Sequence, residues 1–119
     1  MKIISIDMNA SSPEQGLATR RLILDNMASV EWKTLFENIH RNRVDFHKRE
    51  VSIAGKEIMV NCCMDEIQHQ IDSLNAICKE ADDQLLAAHA QAQAAEQERV
   101  RMQEEKRRAA HEQFGKLKF

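Results

Sequence analysis

The sequence predicts an α+β fold in the order β-α-α-β-β-α, in which a small antiparallel sheet packs on helices and a long helix ends the chain. Three observations support this class. The 119 residues include one proline and three glycines, so little interrupts long helices. A hairpin pattern surrounds Gly55, and a stretch without proline or glycine runs from about Cys63 to about His111, with apolar residues at helical spacing as far as Leu85.

The first third of the chain predicts a strand and two helices. Residues 2–8 alternate apolar and polar side chains, which is typical of a half-buried strand. Ser12 as N-cap, Pro13 in the first helical position and Gln15 three residues after the cap predict a helix that runs to about Ala28. A second helix follows, capped by Ser29 and ending near residue 43. Its apolar residues recur at helical spacing: Val30, Trp32, Leu35, Phe36 and Ile39.

Residues 44–61 predict a β-hairpin. A two-residue Gly55-Lys56 turn of type II′ pairs Ile53 with Ile58 and Val51 with Val60, with all four side chains on one face. Val44 and Phe46 have the opposite parity to Val51 and Ile53. A bulge or break near residues 47–50 would reconcile the two patterns.

The C-terminal half predicts one long helix that Gly115 ends. Large apolar residues recur every three or four positions as far as Leu85, whereas residues 87–98 carry only alanine as apolar material. An unbroken helix would be ~70 Å long, so its end would project, fold back or contact another chain. We therefore expect a compact core in residues 1–86, and an Ala/Gln/Glu/Arg-rich helix with a short tail in residues 87–119 of the same domain. The expected core is Ile4, Ile6, Leu24, Trp32, Leu35, Phe36, Ile39, Val51, Ile53, Ile58, Val60, Ile67, Ile71 and Leu74.

Charge is segregated along the chain although the net charge is −2. Residues 1–60 are nearly neutral, residues 61–98 hold one lysine against eight acids, and residues 99–119 hold seven basic and three acidic residues. This asymmetry favours self-association or a charged partner. Three cysteines, an odd number, favour a reducing compartment, and we expect a cytoplasmic protein without a signal peptide or membrane span.

No pattern in the sequence indicates an enzyme, a cofactor or a metal. Cys62 and Cys63 are adjacent, whereas zinc knuckles separate paired cysteines by two to four residues. A Cys–His enzyme would also need a positioned base, for which no local signature exists. The three glycines exclude a glycine-rich phosphate loop. A small enzyme that uses Cys62 or Cys63 is therefore the function that the sequence favours least.

Two basic zones are the candidate partner-binding residues. The first surrounds residues 40–49 and the second residues 99–108, where interleaved acids are typical of an exposed or coiled-coil helix. The candidates are Arg41, Arg43, Lys48, Arg49, Arg101, Met102, Arg107, Arg108 and Phe114. The sequence predicts a non-enzymatic protein-binding module, an adaptor or small inhibitor or regulator of a larger complex. Its partner would be a protein, with a homodimer through the C-terminal helix left open. The alternative is a nucleic-acid-associated protein that uses both basic zones.

Overall fold

A computed structural model describes residues 1–119 and confirms the α+β class. The elements are β1 (Ile3–Ile6), β2 (Ala18–Leu24), α1 (Val30–Asn42), β3 (Val51–Ala54), β4 (Glu57–Cys62), a single 3₁₀ turn (Met64–Glu66) and α2 (Ile67–Gly115). The residues divide into two units, Met1–Leu85 and Leu86–Phe119.

The second element is a strand, so the helix predicted from Ser12 to about Ala28 is wrong. Ser12 caps a local turn instead, because its hydroxyl accepts the N–H of Glu14 at 3.2 Å. Burial in β2 alternates with period two: Arg20, Leu22 and Leu24 face the core. The alternation was hidden in the sequence because its first fully buried position holds an arginine.

The four strands form one antiparallel sheet in the order β1-β2-β4-β3. The predicted hairpin is confirmed between β3 and β4, with Val51 opposite Val60 and Ile53 opposite Ile58. Gly55 has φ +60°, and no other residue has positive φ, so the turn fits type II′, which requires positive φ only at its first central position. The strand begins at Val51, and Val44 and Phe46 lie fully exposed in the preceding loop.

Helix α1 begins as predicted. The Ser29 hydroxyl accepts the N–H of Trp32 at 3.1 Å, which satisfies one free donor of the first turn. Trp32 and Phe36, one helical turn apart, are buried with ring centroids 5.2 Å apart. This pair packs against the inner face of the sheet as part of one core cluster.

The first turns of α2 complete the core with Leu74, Ile77, Cys78 and Ala81. Most of the expected core residues are buried or half-buried against this cluster. Ile4 is the exception, since its side chain is 60% exposed while Ile3 is buried. The reason is a register irregularity between Ile3 and Ser5, which turns Ile4 away from the core.

Residues Leu86–Phe119 form the second unit, which is helical as far as Gly115. Every residue of this unit is exposed except Ala110, which is half-buried. The exposed large apolar side chains are Leu86, Val100, Met102, Phe114, Leu117 and Phe119. No helix in the structure is both long enough and apolar enough to cross a membrane.

Candidate functional site

The loop between α1 and β3 brings two of the predicted basic residues together. The Lys48 ammonium donates a hydrogen bond to the Arg41 carbonyl at 2.9 Å. Both residues line an open groove of about 550 Å³ between the C-terminal end of α1 and the edge of β3. Its other walls are Glu37, His40, Glu50 and Val51. Because two acids share the groove with two permanent cations, its charge is mixed.

The other two predicted residues of this zone lie elsewhere. Arg49 forms a two-point ion pair with Glu66, with Nε and Nη2 each 2.9 Å from a carboxylate oxygen. This pairing lowers the pKa of the Glu66 carboxyl to about 2. The Arg49 guanidinium is thus engaged within the chain. Arg43 lines a separate hollow between α1 and α2, beside Glu80 and Gln84.

One carboxylate and two imidazoles form a cluster between this loop and α2. The Asp45 carboxylate accepts the backbone N–H of His47 at 2.9 Å, which lowers the pKa of Asp45, and His69 Nε2 is 3.7 Å from its other oxygen. The rings of His47 and His69 meet edge to face with centroids 5.0 Å apart. Gln70, which is buried, fixes the loop by donating to the His47 carbonyl at 2.6 Å. The sequence did not reveal this cluster because Asp45 and His47 lie in a loop, more than twenty residues before His69 on α2.

The three cysteines are free thiols whose surroundings disfavour the thiolate. Burial raises the pKa of Cys62, and burial raises that of Cys78 to about 12. A hydrogen bond to the Glu66 carboxylate raises the pKa of Cys63. Nucleophilic and catalytic cysteines usually show the opposite shift.

Cys63, Asp65 and Glu66 are the one group whose ligand atoms are close enough to share a metal ion, within 4.8 Å of one another. The Glu66 carboxylate is already held by Arg49 through both oxygens. A cation at this position would have to displace or repel that guanidinium. The group is therefore better described as the first turn of α2 tied to the preceding loop than as a metal site.

The C-terminal candidates all lie on exposed turns of α2. Arg101 is neutralised locally, since it bonds Glu98 at 2.6 and 3.1 Å and Glu105 at 3.1 Å. Arg107 and Arg108 have no ion-pair partner, and Met102 and Phe114 are more than half exposed. Arg107 precedes Phe114 by seven residues, so the two share one face of the helix. This face presents a free cation two helical turns before an exposed ring.

One further polar residue was missed because it is buried. Arg20 is fully buried on β2 and donates to four backbone carbonyls: Ser12, Glu14 at 2.5 Å, Gly16 at 3.1 Å and Cys62 at 3.3 Å. No carboxylate contacts it. Arg20 thus fixes the loop of residues 12–16 and is unable to reach a partner.

Comparison of the chain with protein-family models, with curated proteins and with solved structures finds no match.

Proposed function

We propose that the chain is a non-enzymatic protein-binding module, an adaptor or small inhibitor or regulator of a larger complex, with residues 86–114 of α2 as a contact surface. The observation that carries this proposal is the exposure of that segment. It is helical throughout, yet its large apolar side chains, Leu86, Val100, Met102 and Phe114, are between 41% and 71% exposed. A helix with exposed apolar anchors is a common way for one protein to bind a groove on another.

The segment's own stability supports this role. Its alanines favour the helix, and the ion pairs from Arg99 to Glu96 and from Arg101 to Glu98 and Glu105 join neighbouring turns. A helix that is already ordered loses less conformational entropy when it binds. Buried side chains end at Ala81, so the core does not depend on residues beyond 86.

The face that contains Val100, Arg107 and Phe114 is the best candidate for the contact itself. These residues are seven apart, so they remain within about 40° of one another around the helix. Phe114 supplies an aromatic anchor, which is supported on one side by the His111 ring at 6.2 Å. Arg107 supplies a charge that no residue of the chain neutralises. Aromatic residues and arginine are the side chains most enriched at binding hot spots.

The test is affinity capture from the native host lysate with the full chain, with and without nuclease, read by mass spectrometry. A stoichiometric protein partner that survives nuclease should be lost with Phe114→Ala and with a chain that ends at Leu86. Gln113→Ala is the matched control, since it alters the neighbouring residue on a different face and should retain the partner. Equal capture by the full chain and the shortened chain would refute the assignment.

The second candidate is a nucleic-acid-associated protein. The observation that favours it is the proximity of Arg41 and Lys48 on one groove. Binding of a labelled duplex should then weaken with salt, and each of Arg41→Gln and Lys48→Gln should reduce the slope of log K against log salt by about 0.9. Undetectable or salt-independent binding would remove this candidate.

We also propose that the protein is located in the cytoplasm. Three unpaired thiols in a small protein favour a reducing environment such as the cytoplasm. A homodimer through the C-terminal helix remains compatible with the exposed face. Neither role uses a cofactor.

A further inference from the structure

The outer edge of β3 carries backbone groups without partners. The two-residue turn makes Ala54 and Glu57 the closing hydrogen-bonded pair, so Ala54, Ser52 and Glu50 direct their backbone groups toward β4. The bond from the Asn61 N–H to the Glu50 carbonyl at 3.2 Å follows this alternation. The N–H and C=O groups of Val51 and Ile53 therefore point away from the sheet, and no residue of the chain bonds them.

The opposite edge of the same sheet is protected. In β1, the Ile3 N–H donates to the Asn75 side chain of α2 at 2.8 Å, and the irregularity between Ile3 and Ser5 interrupts the edge. Bulges and covering side chains are the usual means by which proteins prevent strand addition. Strand β3 has no bulge, and no helix side chain bonds its free edge. Its exposed residues are Ser52 and Ala54, so it carries no lysine or proline that would prevent strand addition.

Open space flanks β3 on both faces of the sheet. The groove of about 550 Å³ lies on the side of α1, and a second hollow of about 310 Å³ lies on the other side, beside Thr19, Ser52 and Met59. Glu50 and Val51 line both hollows. A strand added at this edge would direct alternate side chains into the two spaces.

We propose that this edge pairs with β3 of a second copy of the chain, antiparallel, about a two-fold axis at Ser52. In this register Val51 faces Ile53 of the other copy, twice by symmetry, so all four free groups of each strand are used. The product is a continuous eight-stranded antiparallel sheet. The two Ser52 side chains meet at the axis, where a close pair requires small residues.

The neighbouring registers use fewer of the free backbone groups. A shift toward the N-terminal side would pair Ile53 with Arg49, which lies before β3 begins. A shift toward the C-terminal side would pair Val51 with Gly55, whose carbonyl accepts the Ala28 N–H at 2.9 Å. Only the register centred on Ser52 pairs the free groups of both Val51 and Ile53 with free groups of the other β3.

Charge favours a second copy over an unrelated strand. In this register Glu50 lies opposite Ala54 of the other copy, and its diagonal neighbour is Lys56. Both side chains are exposed in the single chain. The two-fold axis generates this opposite-charge contact twice, so the edge is complementary to itself, as an isologous interface requires.

The experiment is sedimentation equilibrium of the full chain at about 1 μM to 1 mM, a range that suits a small interface. The chain should dimerise. Val51→Pro should raise the dimer dissociation constant on the order of ten-fold or more, because it removes two hydrogen bonds per dimer. The Val51 N–H is not used in the β3–β4 ladder, so the monomer fold should persist, which circular dichroism checks.

A charge series separates this edge from other interfaces. Ser52→Lys places two like charges at the axis and should weaken the dimer, whereas Ala54→Lys, the matched control, places lysine opposite Glu50 and should not. Glu50→Lys should weaken it, and Lys56→Glu added to that variant should restore it. A chain that remains monomeric throughout the range overturns the proposal. So does a dimer that Val51→Pro and Ser52→Lys leave unchanged, or one that Phe114→Lys on α2 abolishes.

Discussion

Replacing Arg20 by methionine should destabilise the protein far more than replacing its neighbour Arg21. Arg20 is fully buried and bonds four carbonyls, three of them in the loop of residues 12–16. Four bonds at the usual net value amount to about 2–6 kcal/mol. The contact to Cys62 is long, at 3.3 Å, and the loop can turn its carbonyls to water, so the expected loss of unfolding free energy is about 3 kcal/mol.

Urea unfolding followed by circular dichroism measures this loss. The midpoint of Arg20→Met should fall by about 1–3 M, given the slope typical of a small domain. Arg20→Lys should rescue only part of it, because an ammonium has three donors and lacks the planar fork that reaches several carbonyls. Amide hydrogen exchange should accelerate first in residues 11–17.

Arg21→Met is the matched control. Arg21 lies next in β2 but on the opposite face, where it makes one half-exposed ion pair with Glu57 at 3.3 Å. Such pairs contribute about 0.5 kcal/mol. If Arg20→Met costs no more than Arg21→Met, the buried guanidinium does not hold the loop.

Three further predictions concern the turn, an ion pair and the thiols. Gly55→Ala should cost about 1–2 kcal/mol in urea unfolding, because φ is +60° and no atom lies within 4 Å to clash, so the cost is backbone strain alone. An unchanged midpoint would contradict the type II′ turn. Glu66 should make the free energy of unfolding depend on pH in the acid range. Its folded pKa, about 2, is below the ordinary glutamate pKa of 4.5, so its contribution is complete above about pH 4.5 and is lost as the pH falls toward 2. Arg49→Met should remove this part of the pH dependence. If wild type and variant lose unfolding free energy in parallel as the pH falls, this prediction is wrong. Cys63 should react with a disulfide reagent before Cys78, which is buried with a pKa of about 12, and the reverse order would refute the packing around Cys78.

The hairpin and α1 could be predicted because their signals are local. Gly55 sets the turn, the turn sets the register, and Ser29 marks the helix start. Strand β2 could not, because local capping signals at Ser12 and Pro13 favoured a helix while Arg20 interrupted the apolar alternation. A buried arginine is acceptable there only because carbonyls distant in sequence accept its bonds, and no pattern in the sequence shows them.

The candidate site was predictable only in part, for the same reason. Arg41 and Lys48 lie at the end of one helix and in the next loop, and the structure brings them together. The sequence did not reveal that Arg49 is held by Glu66, seventeen residues later. It likewise did not reveal that the β3 edge is open, since that depends on what the other elements leave uncovered.

The strand order has a consequence for how the chain folds. The two central strands are β2 and β4, and Leu22 faces Ile58, 36 residues later. During synthesis β2 therefore emerges well before its main partner, while α1 and the β3–β4 hairpin can form from local contacts. Bringing β2 and β4 together across the intervening residues should limit the folding rate. Substitutions at the β2–β4 contact should therefore slow folding, whereas substitutions along the end of α2 should leave the rate unchanged.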